Sequence, residues 1–153
     1  VNPASRTVGE FTMNQTKKFL GTDIAFDADG DLMVTPTGDL AIVSGVDCLL
    51  QDVQDWLRTL PSDLWKHPEF GCDANRLLGA LDTPLNRALA QRAIRIALED
   101  EPRIDPKTLQ IKPDRFSSEE KVFTIQFRPM GSDQQQKLVV GFGLDDMTEV
   151  TGG

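Results

Sequence analysis

The segment from Thr83 to Arg103 limits the possible folds of this chain more than any other. Thr83-Pro84 opens a helix, with a capping hydroxyl followed by proline at the first helical position. Leu85, Leu89, Ala93, Ile96 and Ala97 form one apolar stripe, and Ile94 and Leu98 carry it round the back. From Ala88 to Glu99 only Gln91, Arg92, Arg95 and Glu99 are plainly polar. A helix apolar over most of its girth has to be covered on more than one side, so this is expected to be the central helix. It ends in the text "ALEDEPRI". Glu99, Asp100 and Glu101 sit at the negative end of the helix dipole, where each carboxylate costs a few tenths of a kcal/mol, up to ~1 kcal/mol, relative to a cation.

Pro102 cannot continue the helix, and it biases Glu101 toward extended geometry. Residues two apart in an extended run point the same way, which would set Glu101 and Arg103 side by side on a stiff corner. Two readings follow. Arg103 neutralises the acidic cluster, or the corner is a docking point at which Arg103 makes forked hydrogen bonds to a partner's carboxylate or backbone. Unfavourable local choices tend to mark functional sites.

Upstream, "DIAFDADGDLMVTPTGDLAIVSG" has turn signals at Asp29-Gly30 and Thr37-Gly38-Asp39, and "GDLMV" is echoed by "GDLAIV". A small antiparallel meander is expected. Asp27, Asp29 and Asp31 have calcium-loop spacing, but the glycine comes two places early and Gly38 stands where the bidentate glutamate belongs. An amphipathic helix follows, with Ser44 as cap and Asp47 as its capping-box partner. Val46, Leu49, Leu50, Val53, Trp56, Leu57 and Leu60 lie on one arc, and Pro61 ends it. Asp47, Gln51, Gln54, Asp55 and Arg58 lie opposite, and Cys48 falls on that polar side. The turn-rich "LPSDLWKHPEFGCDANRLLGAL" is expected to be pinned to the core by Trp65 and Phe70, with Asp73 capping a short helix. Beyond the corner, "TLQIKP", "KVFTIQFRP" and "KLVVGFGL" read as three strands. The last, Lys137 to Phe142, carries the run Leu138, Val139, Val140 and reads as an edge. An edge is a template for a strand from another chain.

The fold class expected is α+β: a small mixed or antiparallel sheet, from the N-terminal meander and three C-terminal strands, packed on two main helices. Residues 1–12 have little periodicity and are expected to be a flexible extension, with one domain over residues 13–153. The chain carries 24 acidic against 16 basic residues, a net charge of −8, which argues against nucleic-acid binding. No stretch approaches the ~20 apolar residues of a membrane span. Two cysteines, Cys48 and Cys72, and the single His67 do not make a disulfide scaffold or a zinc site. No cofactor is implied.

In this order the pieces resemble the small baseplate wedge proteins of contractile injection machines, a family that includes the sheath initiators of contractile-tailed phages, tailocins and type VI secretion systems. The resemblance runs from "FLGTDIAFD" to "VVGFG". It rests on "DGDL…GDLAIVSG", on "LRTLPSDLWKHPEFG", and on the helix running into Glu101-Pro102-Arg103, the triplet that is the family's hallmark. The loop departs from the family in reading "TLPSDLW" where a Gly-Glu pair is frequent. The resemblance implies a structural protein of the tail baseplate, assembled in the bacterial host cytoplasm, and no enzyme. It implies that Glu101, Pro102 and Arg103 dock on the helical core bundle of the wedge. It further implies that Lys137, Leu138, Val139, Val140, Gly141 and Phe142 offer a strand to the first ring of sheath protein. Tail tube or hub proteins are further candidate partners.

Two other functions compete. Family members have carried a lysozyme label, and glycoside hydrolysis needs two carboxyls about 5 to 9.5 Å apart, one with a raised pKa. Glu69 with Asp63, or Glu101 with Asp105, are the pairs the sequence offers, and neither has a supporting motif. Arg103 beside Glu101 would lower its pKa and spoil it as an acid. The remaining alternative is a soluble adaptor outside any injection machine.

Overall fold

The computed structural model describes residues 19–143, so the expected extension at residues 1–12 lies outside the described residues. The described residues fall into two compact units divided between Gln51 and Asp52, inside one helix. Among the described residues, the α-helices Val46–Arg58 and Pro84–Glu99 and two small antiparallel sheets make up an α+β fold, as expected.

In the first unit, strand β1 (Thr22–Ile24) pairs antiparallel with β2 (Ile42–Ser44), placing Ile24 opposite Ile42. Between them lie two hairpins, with Phe26 opposite Leu32 and Val34 opposite Leu40. Their tips are copies of one another. Asp27 N–H donates to the Asp31 carbonyl and Gly30 N–H to that of Asp27; Thr35 donates to Asp39 and Gly38 to Thr35 in the same way. Gly30 and Gly38 hold matching positive φ values of 84° and 90°, which L-residues adopt at a cost. The Asp27 carboxylate accepts the N–H groups of Asp29 and Asp31 at 3.0 and 2.9 Å, so its spacing serves the turn.

The arms do not lie side by side as in a meander. They meet in a ring of three backbone hydrogen bonds: Ala25 N–H to Ala41 O, Ala41 N–H to Met33 O, and Met33 N–H to Ala25 O, each 2.9–3.0 Å. The repeat seen in the sequence therefore builds a three-armed junction. Gln51 holds one arm, donating to Ile24 O at 2.8 Å and accepting from Phe26 N–H at 3.0 Å.

Helix α1 spans Val46–Arg58. Ser44 is the last residue of β2 and not the cap; Gly45 stands at the helix start, and its carbonyl takes the Leu49 N–H. Leu49, Leu50, Val53 and Leu57 are buried, and so is Cys48 despite its place on the polar arc. After α1, Phe70 packs on Trp56 with ring centroids 4.4 Å apart. Trp65 does not pin this loop: it is 83% exposed. A 3-10 turn (Asp73–Leu77) follows, with Cys72 at the cap position and Asp73 paired instead with Arg76.

Helix α2 spans Pro84–Glu99, and the Thr83 hydroxyl accepts the Asn86 N–H at 3.1 Å as expected of its cap. Its buried face is Ala90, Ile94, Ala97 and Leu98. Leu85, Leu89 and Ile96 are exposed, so the helix is not covered all round. Two residues of its polar strip point inward instead. Gln91 donates to Ile111 O at 2.9 Å, and Arg95 reaches Leu109 O at 3.4 Å.

Strands β3 (Gln110–Phe116), β4 (Glu120–Phe127) and β5 (Gln136–Gly143) form an antiparallel sheet in that order. Phe123, Ile125 and Phe127 of β4 are fully buried, and Phe123 sits edge-on between Phe116 and Phe142 at 6.1 and 6.0 Å. A bulge at Asp114 interrupts the β3–β4 register, where the Thr124 hydroxyl bonds the Asp114 carboxylate. Lys121 is buried with its ammonium 4.3 Å from the Phe116 ring, donating to Ala80 O and Ser117 O. Burial holds that ammonium below the ordinary lysine range, with Asp82 opposing the shift.

Glycine at 71 is required twice over. Its φ is +127°, and a Cβ there would lie 2.6 Å from the backbone of Leu60 and Pro61. At Gly30 a Cβ meets nothing within 4 Å. Gly30→Ala is therefore expected to cost only the left-handed penalty of about 1–2 kcal/mol. Gly71→Ala should cost at least about twice that, because backbone has to move. Urea denaturation of the two variants checks the ranking; equal losses would show that the loop simply yields.

Candidate functional site

The corner after α2 is a β-turn, not an extended run: Ile104 N–H returns to Glu101 O at 3.1 Å, with Pro102 at the position where its fixed φ fits. The turn, and not strand alternation, brings the side chains of Glu101 and Arg103 together. Arg103 Nε donates to Glu101 Oε1 at 2.7 Å and Nη2 to Oε2 at 2.9 Å, a two-pronged fork. The Arg103 N–H also reaches Glu101 Oε1, at 3.1 Å. Nη1 donates to Asp52 Oδ2 on α1 at 2.7 Å. Beyond the turn, Arg103 O accepts Met130 N–H and Arg128 O accepts Asp105 N–H, stitching the corner to the segment after β4.

These groups are largely out of water: the Glu101 side chain is 5% exposed and that of Arg103 19%. Burial pushes the Glu101 carboxyl up, but the hydrogen bonds and charge of Arg103 outweigh it, and the net shift is downward. Arg103 is driven upward mainly by its bond to Glu101, against its own desolvation and with help from Asp52. The guanidinium fork expected to face a partner is thus turned onto the chain's own carboxylates. Pro102 is the exposed member of the triplet. Asp52 joins the group from fifty-one positions upstream, and no local sequence signal points to it.

Two further surfaces belong to the same unit. Leu85, Leu89 and Ile96 lie within about 40° of one another around the axis of α2, at the helical spacing of 100° per residue, and form an exposed apolar stripe on the helix that enters the corner. The expected edge strand is an edge: β5 pairs only with β4 among the described residues. Leu138, Val140 and Phe142 are buried on one face, with Lys137, Val139 and Gly141 on the other. The opposite edge differs, because Gln91 and Arg95 of α2 occupy carbonyls at Ile111 and Leu109 of the β3 side.

The carboxylates proposed for hydrolysis are otherwise engaged. The Glu69 carboxyl is held below its usual range by its own backbone N–H first and by His67 second. Asp63 accepts the Leu60 N–H, and Asp105 caps the turn at Pro106–Thr108. Cys72 is buried, its thiol pushed up to about 11, which makes it a poor nucleophile.

Breaking the corner should be costly. Arg103→Ala strands the Glu101 carboxylate and is expected to remove about 3 kcal/mol of stability. The lowered Glu101 pKa sets the pH dependence. Its contribution is complete above the unfolded-state value of about 4.3 and disappears as the pH falls through the lower folded value. The urea midpoint should therefore drop below about pH 4.3, and Glu101→Gln should flatten that drop. An unchanged acid profile in Glu101→Gln would contradict the assignment.

Comparison with known proteins agrees with this architecture. No curated protein matches the chain. Among solved structures, a crystal structure of a provisionally assigned tail lysozyme from Geobacter sulfurreducens shares the fold. The TM-score is 0.53 at 20% identity, covering 65% of this chain and 90% of that one. Residues 43–134, more than half of the sequence, match the model of the family described as baseplate wedge protein gp25, a span holding α1, the Trp65 loop, α2, the corner and strands β3 and β4. The chain belongs to the gp25 baseplate wedge protein family.

Proposed function

We propose that this baseplate protein is a structural joint without enzymatic activity, connecting the wedge core to the first ring of sheath protein. The observation that carries the proposal is the asymmetry of the β3-β4-β5 sheet. One edge is occupied by α2 side chains, while among the described residues β5 keeps an open edge on a strand whose inner face is buried. Open edges invite pairing and are ordinarily blunted, so an open one opposite a covered one suits strand addition from a sheath subunit.

The wedge core would meet the other element. The Leu85–Leu89–Ile96 stripe offers helix-spaced anchors for a helical bundle, and the Glu101–Arg103–Asp52 tie fixes the end of α2 beside it. Pro102 then contributes a contact, while Glu101 and Arg103 act by holding the turn in shape. A hydrolase is disfavoured by the same chemistry: Glu69 and Glu101 both hold their protons less tightly than ordinary carboxyls, the reverse of what a general acid needs.

The two contacts separate experimentally. Leu85→Asp/Leu89→Asp should reduce co-purification with wedge core proteins by about tenfold or more and leave sheath binding intact. In amide exchange, the outward half of the β5 N–H groups should gain protection when sheath protein is added. If β5 exchange is unchanged in a complex that forms, strand addition is wrong. Purified protein should leave peptidoglycan turbidity unchanged; clearing of the suspension would return the lysozyme reading.

A further inference from the structure

The three-armed junction of the first unit has a face with no role so far. Its six paired positions are Ile24 with Ile42, Phe26 with Leu32, and Val34 with Leu40. They flank the ring residues Ala25, Met33 and Ala41 on either side. Side chains alternate along each arm and paired residues share a face, so all six lie on one side of the junction. Every one is a large apolar residue and every one is exposed, from 37% for Ile24 to 71% for Ile42. Single exposed apolar residues are ordinary, but six brought together by a hydrogen-bonded ring form a contiguous patch of the kind that marks an interaction site.

The rim of the patch has a single charge sign. Asp23 adjoins Ile24, Asp27, Asp29 and Asp31 make up one hairpin tip, and Asp39 sits on the other, all exposed. Residues 19–51 contain no lysine, arginine or histidine. A second copy of the chain is a poor occupant, because a two-fold contact would set this acidic rim against itself. An anionic lipid surface is excluded by the same repulsion. The complementary occupant has apolar side chains at its centre and cations around them.

We propose that this face is a docking site for a protein segment of another baseplate subunit, apolar on the side it presents and bordered by lysine or arginine. The proposal rests on the baseplate reading and adds a contact separate from the α2 stripe and β5. The apolar centre supplies the affinity, and the aspartates supply orientation and a salt-dependent on-rate.

The test places the photocrosslinker p-benzoylphenylalanine at position 26 and irradiates isolated baseplates that contain the chain. The expected adduct is a peptide of another subunit with apolar residues next to lysine or arginine. Two variants sharpen it. Val34→Asp/Ile42→Asp removes the apolar centre, and Asp27→Asn/Asp29→Asn/Asp31→Asn/Asp39→Asn removes the charge while keeping the turn acceptors. Each should lower the adduct yield by about tenfold, the second mainly at low salt. Adducts to residues 1–18 of the chain itself, to a second copy or to an acidic segment would overturn the proposal. So would baseplates that contain the chain and give no adduct. Absence of the chain from isolated baseplates would instead overturn the baseplate reading, and this proposal with it.

Discussion

The buried fork between Arg103 and Glu101, extended to Asp52, is the constraint on which the corner of the second unit depends. Glu101 lies where a helix end least favours a carboxylate, and burial raises the penalty. A guanidinium two residues on removes it, but only if the chain turns back at once. Pro102 supplies that turn with a fixed φ, and the Glu101 carbonyl closes it on the Ile104 N–H. The third bond, to Asp52, ties the end of α2 to the later turns of α1. An apolar contact of equal volume would stabilise as well or better, but it would not select one turn geometry. For the joint proposed above, selection of one geometry would matter more than the last kcal/mol.

The same economy of placement appears in the sheet. β3 and β5 are both edges, and only β3 is dressed by the neighbouring helix. Pro113 and the bulge at Asp114 blunt β3 further, since proline brings no N–H and the bulge breaks the ladder. β5 has neither device. Its inner face is anchored through Phe142 against Phe123, and its register with β4 is unbroken. Among the described residues the sheet thus covers or interrupts one edge by three means and none of them occurs on the other, the asymmetry on which the proposed strand addition rests.

Much of this was legible in the sequence, and the failures share a cause. Alternation at Phe123, Ile125 and Phe127 placed β4, and Thr83-Pro84 placed the start of α2, because both signals are local. The face of α2 was misjudged. Leu85, Leu89 and Ile96 looked like core because they share one helical stripe with Ala93 and Ala97, yet they are exposed and the buried face is Ala90, Ile94, Ala97 and Leu98. Small residues let a helix approach a sheet closely, and large ones on the far side are then free for a partner. Periodicity reports an apolar arc, not which part of the arc the chain itself covers. Trp65 misled for the same reason. Asp52 and the three-armed closure of Ala25, Met33 and Ala41 depend on pairing across distance, which no local pattern encodes.

The misjudged residues point to a general step of reasoning. Leu85, Leu89, Ile96, Trp65 and the six residues of the junction face are all large, apolar and exposed in the isolated chain. Exposed to water, they gain nothing from folding and add to the risk of aggregation. A sequence tuned for a free monomer would lose little by replacing them with polar residues. Their presence makes sense if the relevant folded state is the assembly, in which each is covered by a different neighbour. The acidic residues around the junction face then have two uses: they keep the free chain soluble before assembly, and they orient a basic segment when it arrives. On this view the apolar residues that single-chain logic misplaces are the ones that mark where the machine is joined.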